Sequence, residues 1–338
     1  FGAFRRCPAG QGQRIGWCPA DGTAQAGTLG GLFVTEELER LPADVGVHHT
    51  GLTGRRMVDR YPVKGYRSAV RQPRPDVTLT TLRMNLTAGV ASELRTPGAW
   101  VARIPNHFSA TAADTSTTTV WKARGYHGIT RATLRRAAAV VAQSTAMATD
   151  LTSVGVPAHR IRTIGNPIDG AWVDARLGEG PEIEIRGAPA LVAVGRLELQ
   201  KGFDVAVSAL PAIVAAQPDA HLTVFGDGGQ RAALVQQAAD LGVDRAVTFA
   251  GPSPNPFPAY AAADLLVAPS RWEGLSNVVL EALAVGCPVV ATNGPAASQD
   301  LVSAPDDGAL VAPDAPDALA AAVLGALDAG HDRDVIAK

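Results

Sequence analysis

The chain has 338 residues, 46% apolar and 18% charged, with a formal net charge of −2. At about 150 residues per domain the length indicates two domains, and the composition excludes a disordered, collagen-like or coiled-coil protein. Three cysteines without Cys/His pairs at zinc spacing exclude a disulfide framework. No apolar run reaches the about 18 residues of a membrane span and no secretory signal is visible, so we expect a cytoplasmic protein.

The first half of the chain alternates strands and helices unevenly. Residues 1–13 show no hydrophobic strand, and residues 52–72 are polar and basic without a clean period. Prolines and glycines between 165 and 188 predict a break in regular structure, so we place the linker there and the domains at 1–169 and 170–338. The predicted strands are 14–18, 45–49, 76–80, 100–105, 139–143 and 160–164, and the predicted helices are 32–41, 84–94, 130–138 and 145–154.

The second half has a clearer pattern, in which each short β-branched or apolar run is followed by a helical stretch. Such alternation predicts βαβ units and a parallel sheet that is buried on both faces. Ligands of open sheets of this kind bind outside the carboxyl ends of the strands. The predicted strands are 190–197, 221–226, 246–250, 264–269, 288–292 and 308–312, and the predicted helices are 201–217, 229–241, 256–262, 276–286 and 315–329.

The two halves carry opposite charge. Residues 1–169 contain 21 Lys and Arg against 11 Asp and Glu, whereas residues 170–338 contain 9 against 21. Most of the offset lies in a basic run that contains only Asp59 as a counter-charge. Either this run contacts an anionic partner, or it is a solvated loop whose field attracts the acidic half. The basic run comprises Arg55, Arg56, Arg60, Lys64, Arg67, Arg71 and Arg74.

A first candidate site is the sequence from Gly195 to Gly202, at the end of a predicted strand and the start of a predicted helix. Gly195 allows a tight turn, and Arg196 and Lys201 would project from the strand end and the first helical turn. Two cations beside a helix N-terminus suit a diphosphate, because the unpaired N–H groups there already favour anions. A solvated surface pair is the alternative.

A second candidate site runs from Glu273 to Glu281, after the predicted strand at 264–269. Gly274 permits close approach to the backbone, and Ser276 is a plausible N-cap for the helix that follows. Glu281 is the charged residue of an otherwise apolar helix. A buried carboxylate needs a hydrogen-bond partner, which could be a sugar diol or a group of the protein itself.

These segments, taken in order, resemble the nucleotide-sugar domain of retaining GT-B glycosyltransferases of family GT4. The resemblance covers about 190–330 through GRLELQKGFD, VFGDGGQRAAL and LLVAPSRWEGLSNVVLEALAVGCPVVAT. It extends to 74–169 through RPDVTLTTLRMN, WVARIPNHFS and IRTIGNPID, which resemble the acceptor-side domain. It implies an α/β fold of the GT-B type, in which two Rossmann-like, doubly wound domains face each other across a cleft.

The resemblance also implies roles for individual residues. Arg196 and Lys201 correspond to the pair that binds the donor diphosphate, Glu273 to the contact with the donor sugar, and Glu281 to the ligand of the ribose hydroxyls. His107 corresponds to the active-site histidine, in the segment 104–108. The positions expected to approach the donor through their backbones are Gly30, Gly31, Gly195, Gly274, Leu275, Ser276 and Asn277.

The sequence therefore predicts a glycosyltransferase that moves a sugar, with retention, from a nucleoside diphosphate sugar to an acceptor hydroxyl. No cofactor or metal is expected, since no acidic metal motif follows a strand, and no nucleic-acid partner is expected. The alternative from another class is a non-catalytic GT-B-like subunit that only binds nucleotide sugars. A dinucleotide-dependent dehydrogenase is disfavoured because Arg231 stands where its fingerprint needs a third glycine. The basic run makes contact with an anionic membrane surface a further hypothesis.

Overall fold

The computed structural model describes residues 2–6, 15–17, 63–71, 76–81, 84–92, 96, 98–113, 128–180, 183–295 and 297–337. It divides into two compact units. The first consists of Phe1–Ala142 and Ala148–Ile164, and the second of Gln143–Met147 and Gly165–Lys338. The predicted strand at 45–49 and helix at 32–41 lie outside the described residues.

The first unit contains a six-stranded sheet in the order β2-β1-β3-β4-β5-β6. The strands β3 to β6 are parallel, whereas β1 pairs antiparallel with both β2 and β3. Within the described residues, four helices and a helical segment at 128–134 accompany them, and the last of the four begins in the stretch Gln143–Met147 of the second unit. The strands are β1 Gly2–Arg6, β2 Ile15–Trp17, β3 Val77–Thr81, β4 Ala99–Ile104, β5 Ala139–Ala142 and β6 Ile161–Thr163, and the helices are α1 Val63–Arg71, α2 Met84–Ser92, α3 Phe108–Ala113 and α4 Thr145–Ser153.

Two elements of the first unit were not predicted from the sequence. Residues 1–13 do contain a strand, β1, which has only one large apolar residue and is held by backbone pairing on both sides. Residues 52–72 contain the helix α1, in which Tyr66 and Val70 are buried at i, i+4 spacing. Two apolar positions on one helix face are enough to dock a short helix, although its other positions are polar.

The second unit contains six parallel strands in the order β12-β11-β10-β7-β8-β9, which is the doubly wound arrangement. All six strands predicted for this half are confirmed to within a few residues. They are β7 Ala190–Val194, β8 His221–Phe225, β9 Val247–Gly251, β10 Leu265–Ala268, β11 Val289–Thr292 and β12 Gly308–Val311, and the helices are α5 Gly170–Leu177, α6 Phe203–Ala216, α7 Arg231–Asp240, α8 Phe257–Ala262, α9 Asn277–Ala284, α10 Pro316–Ala329 and α11 Arg333–Ile336.

Successive residues of β7 pack into two separate hydrophobic clusters. Leu191 and Ala193 belong to a cluster with helices α6 and α10, whereas Val192 belongs to a cluster with α8 and α9. The sheet is therefore covered on both faces, as the unbroken apolar character of its strands predicts. This burial fixes the strand ends that carry the candidate site.

The segment 165–188 is more ordered than its prolines and glycines suggest, because it contains α5. The Asp169 side chain caps this helix by accepting a hydrogen bond from the Trp172 N–H. Val173 is buried, and the Trp172 ring packs edge-on against Phe257 with 5.0 Å between ring centroids. Among the described residues, no helix is long and apolar enough to cross a bilayer.

Candidate active site

The candidate site lies where the strand order of the second sheet reverses. β7 and β10 are parallel neighbours, and the chain winds outward from β7 through β8 and from β10 through β11. Crossover connections on opposite sides leave a crevice at the carboxyl ends of such a pair, where ligands of open α/β sheets bind. The two motifs singled out in the sequence follow these two strands.

The loop after β7 brings Lys201 back over the strand end. Gly195 is so close to it that a Cβ atom there would lie 3.2 Å from Lys201 Cε. Lys201 ends a single 3₁₀ turn, Leu199–Lys201, and α6 begins only at Phe203, so the expectation of Lys201 in the first helical turn was wrong. Gly202 separates the two at φ 66°, and a Cβ there would lie 2.1 Å from the Pro269 carbonyl oxygen.

The Lys201 ammonium forms a salt bridge with the Glu273 carboxylate, which joins the two motifs directly. Their side chains are 16% and 8% exposed, respectively. The Ser270 hydroxyl donates a second hydrogen bond of 3.1 Å to the same Glu273 oxygen. The Coulomb attraction within a pair this shielded from water is stronger than in a surface pair, although desolvation offsets part of it. The contact orients both charges at the carboxyl ends of β7 and β10.

Arg196 remains exposed to solvent beside this pair. Its guanidinium donates to Gln200 Oε1 at 3.4 Å, and Gln200 in turn donates to the Trp272 carbonyl oxygen at 2.8 Å. Arg196 is therefore linked, through Gln200, to the hydrogen bond that joins the loops after β7 and β10. A guanidinium so placed can turn toward an anion without breaking a buried interaction.

Arg271, which the sequence interpretation did not single out, fastens these loops together. Its guanidinium makes two hydrogen bonds to the Asp204 carboxylate, of 2.7 and 2.8 Å, and one of 2.6 Å to Asp314. It also donates to the Leu199 carbonyl oxygen at 2.7 Å. Burial opposes ionisation of Asp204, but the hydrogen bonds and charge of Arg271 outweigh it and lower the pKa of Asp204.

The segment Glu273 to Ser276 is buried and leads into helix α9. Ser276 occupies the predicted N-cap position, but its side chain makes no capping hydrogen bond. Asn277, the first helical residue, accepts a hydrogen bond from the Asn166 amide, which itself accepts one from Gln143. A row of three side-chain amides thus fixes the start of α9, where unpaired backbone N–H groups favour an anion.

Glu281 is half-buried in the second turn of α9. The Tyr260 hydroxyl donates to its Oε2 at 3.3 Å. Burial, together with the charge of Glu281, raises the pKa of Tyr260 well above its usual value, so the phenol stays protonated. The carboxylate expected to need a hydrogen-bond partner therefore has one within the protein, and sequence reasoning did not identify it.

His107 belongs to the first unit, between β4 and α3. Its Nδ1 lies 3.3 Å from Asp150 Oδ2, and the two side chains are 15% and 5% exposed. Asp150 also accepts a hydrogen bond of 3.0 Å from the Ser109 N–H, so it ties the start of α3 to the histidine. Asp150 was not predicted, because 43 positions along the chain separate it from His107 and only the fold brings them together.

Some of the predicted residues lie outside the described part of the chain. These include Gly30 and Gly31 and much of the basic run, namely Arg55, Arg56, Arg60 and Arg74. Lys64, Arg67 and Arg71 lie on α1. Within the described ranges, no three His, Cys, Asp or Glu side chains converge as a metal-binding group.

Comparison with solved structures identifies the fold. The structure of Anabaena Alr3699/HepE in complex with UDP is similar with a TM-score of 0.67 and 21% identity, covering 81% of this chain and 75% of that one. Sucrose-phosphate synthase from Thermosynechococcus elongatus is similar with a TM-score of 0.64 and 20% identity, covering 84% and 77%. The two α/β units therefore have the GT-B fold, and the predicted fold class is confirmed.

Two family models match the sequence. "Glycosyl transferase 4-like domain" matches residues 17–167, and "Glycosyl transferases group 1" matches residues 188–329. Together they span most of the chain, which belongs to this GT4-like glycosyltransferase family. The resemblance found in the sequence is thereby confirmed at the level of the glycosyltransferase family.

Several curated relatives are glycosyltransferases by name. The lipopolysaccharide core biosynthesis glycosyltransferase LpsE of Rhizobium meliloti is 42% identical over 105 residues, 31% of this chain and 30% of that protein. Glycogen synthase of Mycobacterium tuberculosis is 32% identical over 209 residues, 61% of this chain and 49% of that protein. The chain therefore matches about half or less of the length of these two relatives.

Proposed function

We propose that the protein is a retaining glycosyltransferase that moves a sugar from a nucleoside diphosphate sugar to an acceptor hydroxyl. One observation carries the proposal. The Lys201–Glu273 pair lies at the carboxyl ends of β7 and β10, with Arg196 on the same loop as Lys201 and the start of α9 after Glu273. The place where the strand order reverses thus combines cations, a carboxylate and helix N–H groups. These groups suit a ligand with a diphosphate and a polyhydroxylated sugar.

In the proposed reaction, the bond between the anomeric carbon and the leaving phosphate oxygen breaks while a bond to the acceptor oxygen forms. The diphosphate gains negative charge as it leaves, and it takes up the proton of the acceptor hydroxyl. Arg196 and Lys201 stabilise that charge, which is a transition-state role of the oxyanion-hole type. A lysine ammonium has three donors, so Lys201 can keep its bond to Glu273 and still donate to a phosphate.

The two acids hold different parts of the donor in this proposal. Glu273 accepts hydrogen bonds from hydroxyls of the transferred sugar, whereas Glu281 accepts from the ribose. The backbone N–H groups from Gly274 to Asn277 approach the sugar and the phosphates. The family resemblance assigns Gly30 and Gly31 to the donor phosphates and assigns His107, whose ring contacts Asp150, to the active site.

Retention without a metal is a further part of the proposal. The protein's own cations would neutralise the diphosphate, and no side chain is assigned as a nucleophile. Relatives and neighbours differ in the nucleotide that their names give. HepE was solved with UDP-glucose, while a relative from Mycolicibacterium smegmatis, 37% identical over 127 residues, is a GDP-mannose-dependent mannosyltransferase. The proposal therefore covers the donor class rather than one sugar.

A donor screen tests the proposal. UDP-, GDP- and dTDP-sugars are added singly, and both thermal unfolding and release of the nucleoside diphosphate are followed. A donor at 100 times its Kd adds about 2.7 kcal/mol to the stability, which is measurable as a shift in Tm. Binding with diphosphate release supports the enzyme. Donor binding without release of the nucleoside diphosphate, over a panel of hydroxyl acceptors, favours the non-catalytic subunit. If none of the donors binds, both the enzyme and the binding subunit are contradicted.

A further inference from the structure

The environment of Glu281 contains a residue whose position is fixed at three points. Tyr260 is fully buried on α8, and its ring packs edge-on against Phe257 with 6.1 Å between centroids. Its main-chain carbonyl oxygen accepts a hydrogen bond of 3.0 Å from Arg333 on α11. Its hydroxyl donates to Glu281 Oε2. The phenol is therefore a rigid donor aimed at one oxygen of the carboxylate.

A half-buried glutamate needs such a donor if its carboxylate is to keep one orientation. The glutamate side chain has three rotatable bonds, and the helix backbone alone does not select one rotamer of the terminal group. One hydrogen bond from Tyr260 occupies one of the about four acceptor positions of the carboxylate. This bond therefore constrains the orientation of the carboxylate while using only one of its acceptor positions.

We propose that Tyr260 is a positioning residue for the donor nucleotide, holding the Glu281 carboxylate in the orientation that receives the ribose hydroxyls. This inference rests on the proposed function, in which Glu281 binds the ribose. Because Tyr260 is fully buried, it would itself touch neither the sugar nor the phosphates. Its effect should therefore be seen only with ligands that carry ribose hydroxyls.

The test compares two ligands in two variants. Tyr260→Phe removes the hydroxyl that reaches Glu281, and Tyr66→Phe is the matched control because it removes a buried tyrosine hydroxyl from the first unit. UDP and GDP are titrated by calorimetry alongside their 2′,3′-dideoxy forms. We expect Tyr260→Phe to weaken binding of the ribonucleotide by about 3- to 10-fold, the ordinary worth of one hydrogen bond. Binding of the dideoxy form, and all binding by Tyr66→Phe, should be unchanged.

The other outcomes separate this inference from the proposal beneath it. Equal losses for the ribonucleotide and dideoxy forms, or no loss for either, would overturn the positioning role of Tyr260. Glu281→Ala tests the ribose assignment itself, since unchanged ribonucleotide binding by that variant would remove the assignment and this inference together. If Tyr260→Phe does not fold, Arg333→Lys loosens the Tyr260 main chain and keeps the hydroxyl. For Arg333→Lys we expect a smaller loss of ribonucleotide binding, again with unchanged binding of the dideoxy form. Unchanged ribonucleotide binding by this variant would refute the inference.

Discussion

Replacing Lys201 by alanine should affect both stability and turnover, whereas replacing Arg196 should affect turnover alone. The first change leaves the Glu273 carboxylate buried, with the Ser270 hydroxyl as its remaining side-chain donor among the described residues. Removing one partner of a buried ion pair costs about 3–5 kcal/mol, and because Lys201 is 16% exposed we expect about 2–3 kcal/mol here. Arg196 is exposed, so Arg196→Ala should change the stability by no more than about 0.5 kcal/mol.

Both substitutions should lower kcat by about 10²- to 10³-fold, the usual loss when one transition-state donor is removed. Urea unfolding measures the stability, and release of the nucleoside diphosphate from the donor measures the turnover. The double variant Lys201→Ala/Glu273→Ala should be more stable than Lys201→Ala, because it leaves no buried charge unpaired. A folded Lys201→Ala protein with unchanged turnover would remove the diphosphate assignment. A variant as stable as the wild type would show that the pair is not shielded from water.

Four further predictions concern separate parts of the molecule. Glu281→Ala should weaken calorimetric binding of the free nucleoside diphosphate, whereas Glu273→Ala should spare it and weaken only the intact nucleotide sugar; equal losses would contradict that division. The product anomer should match that of the donor by NMR, and EDTA should not stop the reaction; inversion or full inhibition would refute the mechanism. Arg271 lowers the pKa of Asp204, so ionised Asp204 stabilises the fold fully above its unfolded pKa of about 3.9, and this stabilisation is lost as the pH falls through the folded pKa. Arg271→Ala should therefore reduce the part of the unfolding free energy that is lost on acidification. Sedimentation with anionic vesicles should show binding that fades with salt if the basic run meets a membrane; no binding at low salt would end that hypothesis.

The second unit could be predicted from the sequence because burial on both faces makes each strand an apolar run between turn residues. The position of the candidate site could be inferred from this pattern, because each of the two motifs comes after a strand, and the two strands are neighbours in the sheet. What the pattern could not predict is which groups would touch. Lys201 and Glu273 are 72 positions apart, and their contact depends on β7 and β10 being neighbours.

The missed residues act through the fold rather than through a local pattern. Arg271 lies two positions before Glu273 in the sequence, but its partners lie elsewhere, Asp204 in the first turn of α6 and Asp314 after β12. In the sequence, Tyr260 is indistinguishable from a core residue of α8. Only the packing of α8 against α9 brings its hydroxyl to Glu281. In the first unit, β1 escaped prediction because strand pairing holds it rather than an apolar face. The boundary at 165–188 and the roles of individual residues stay predictions.

An experimental structure with a nucleoside diphosphate bound tests most directly whether the donor site lies at the carboxyl ends of β7 and β10. We expect the diphosphate to lie within hydrogen-bonding distance, about 2.7–3.2 Å, of Lys201 Nζ and the Arg196 guanidinium. The ribose hydroxyls should lie against the Glu281 carboxylate. A nucleotide bound elsewhere, or one whose diphosphate turns away from the ends of β7 and β10, would show that Lys201 and Arg196 do not bind the donor diphosphate.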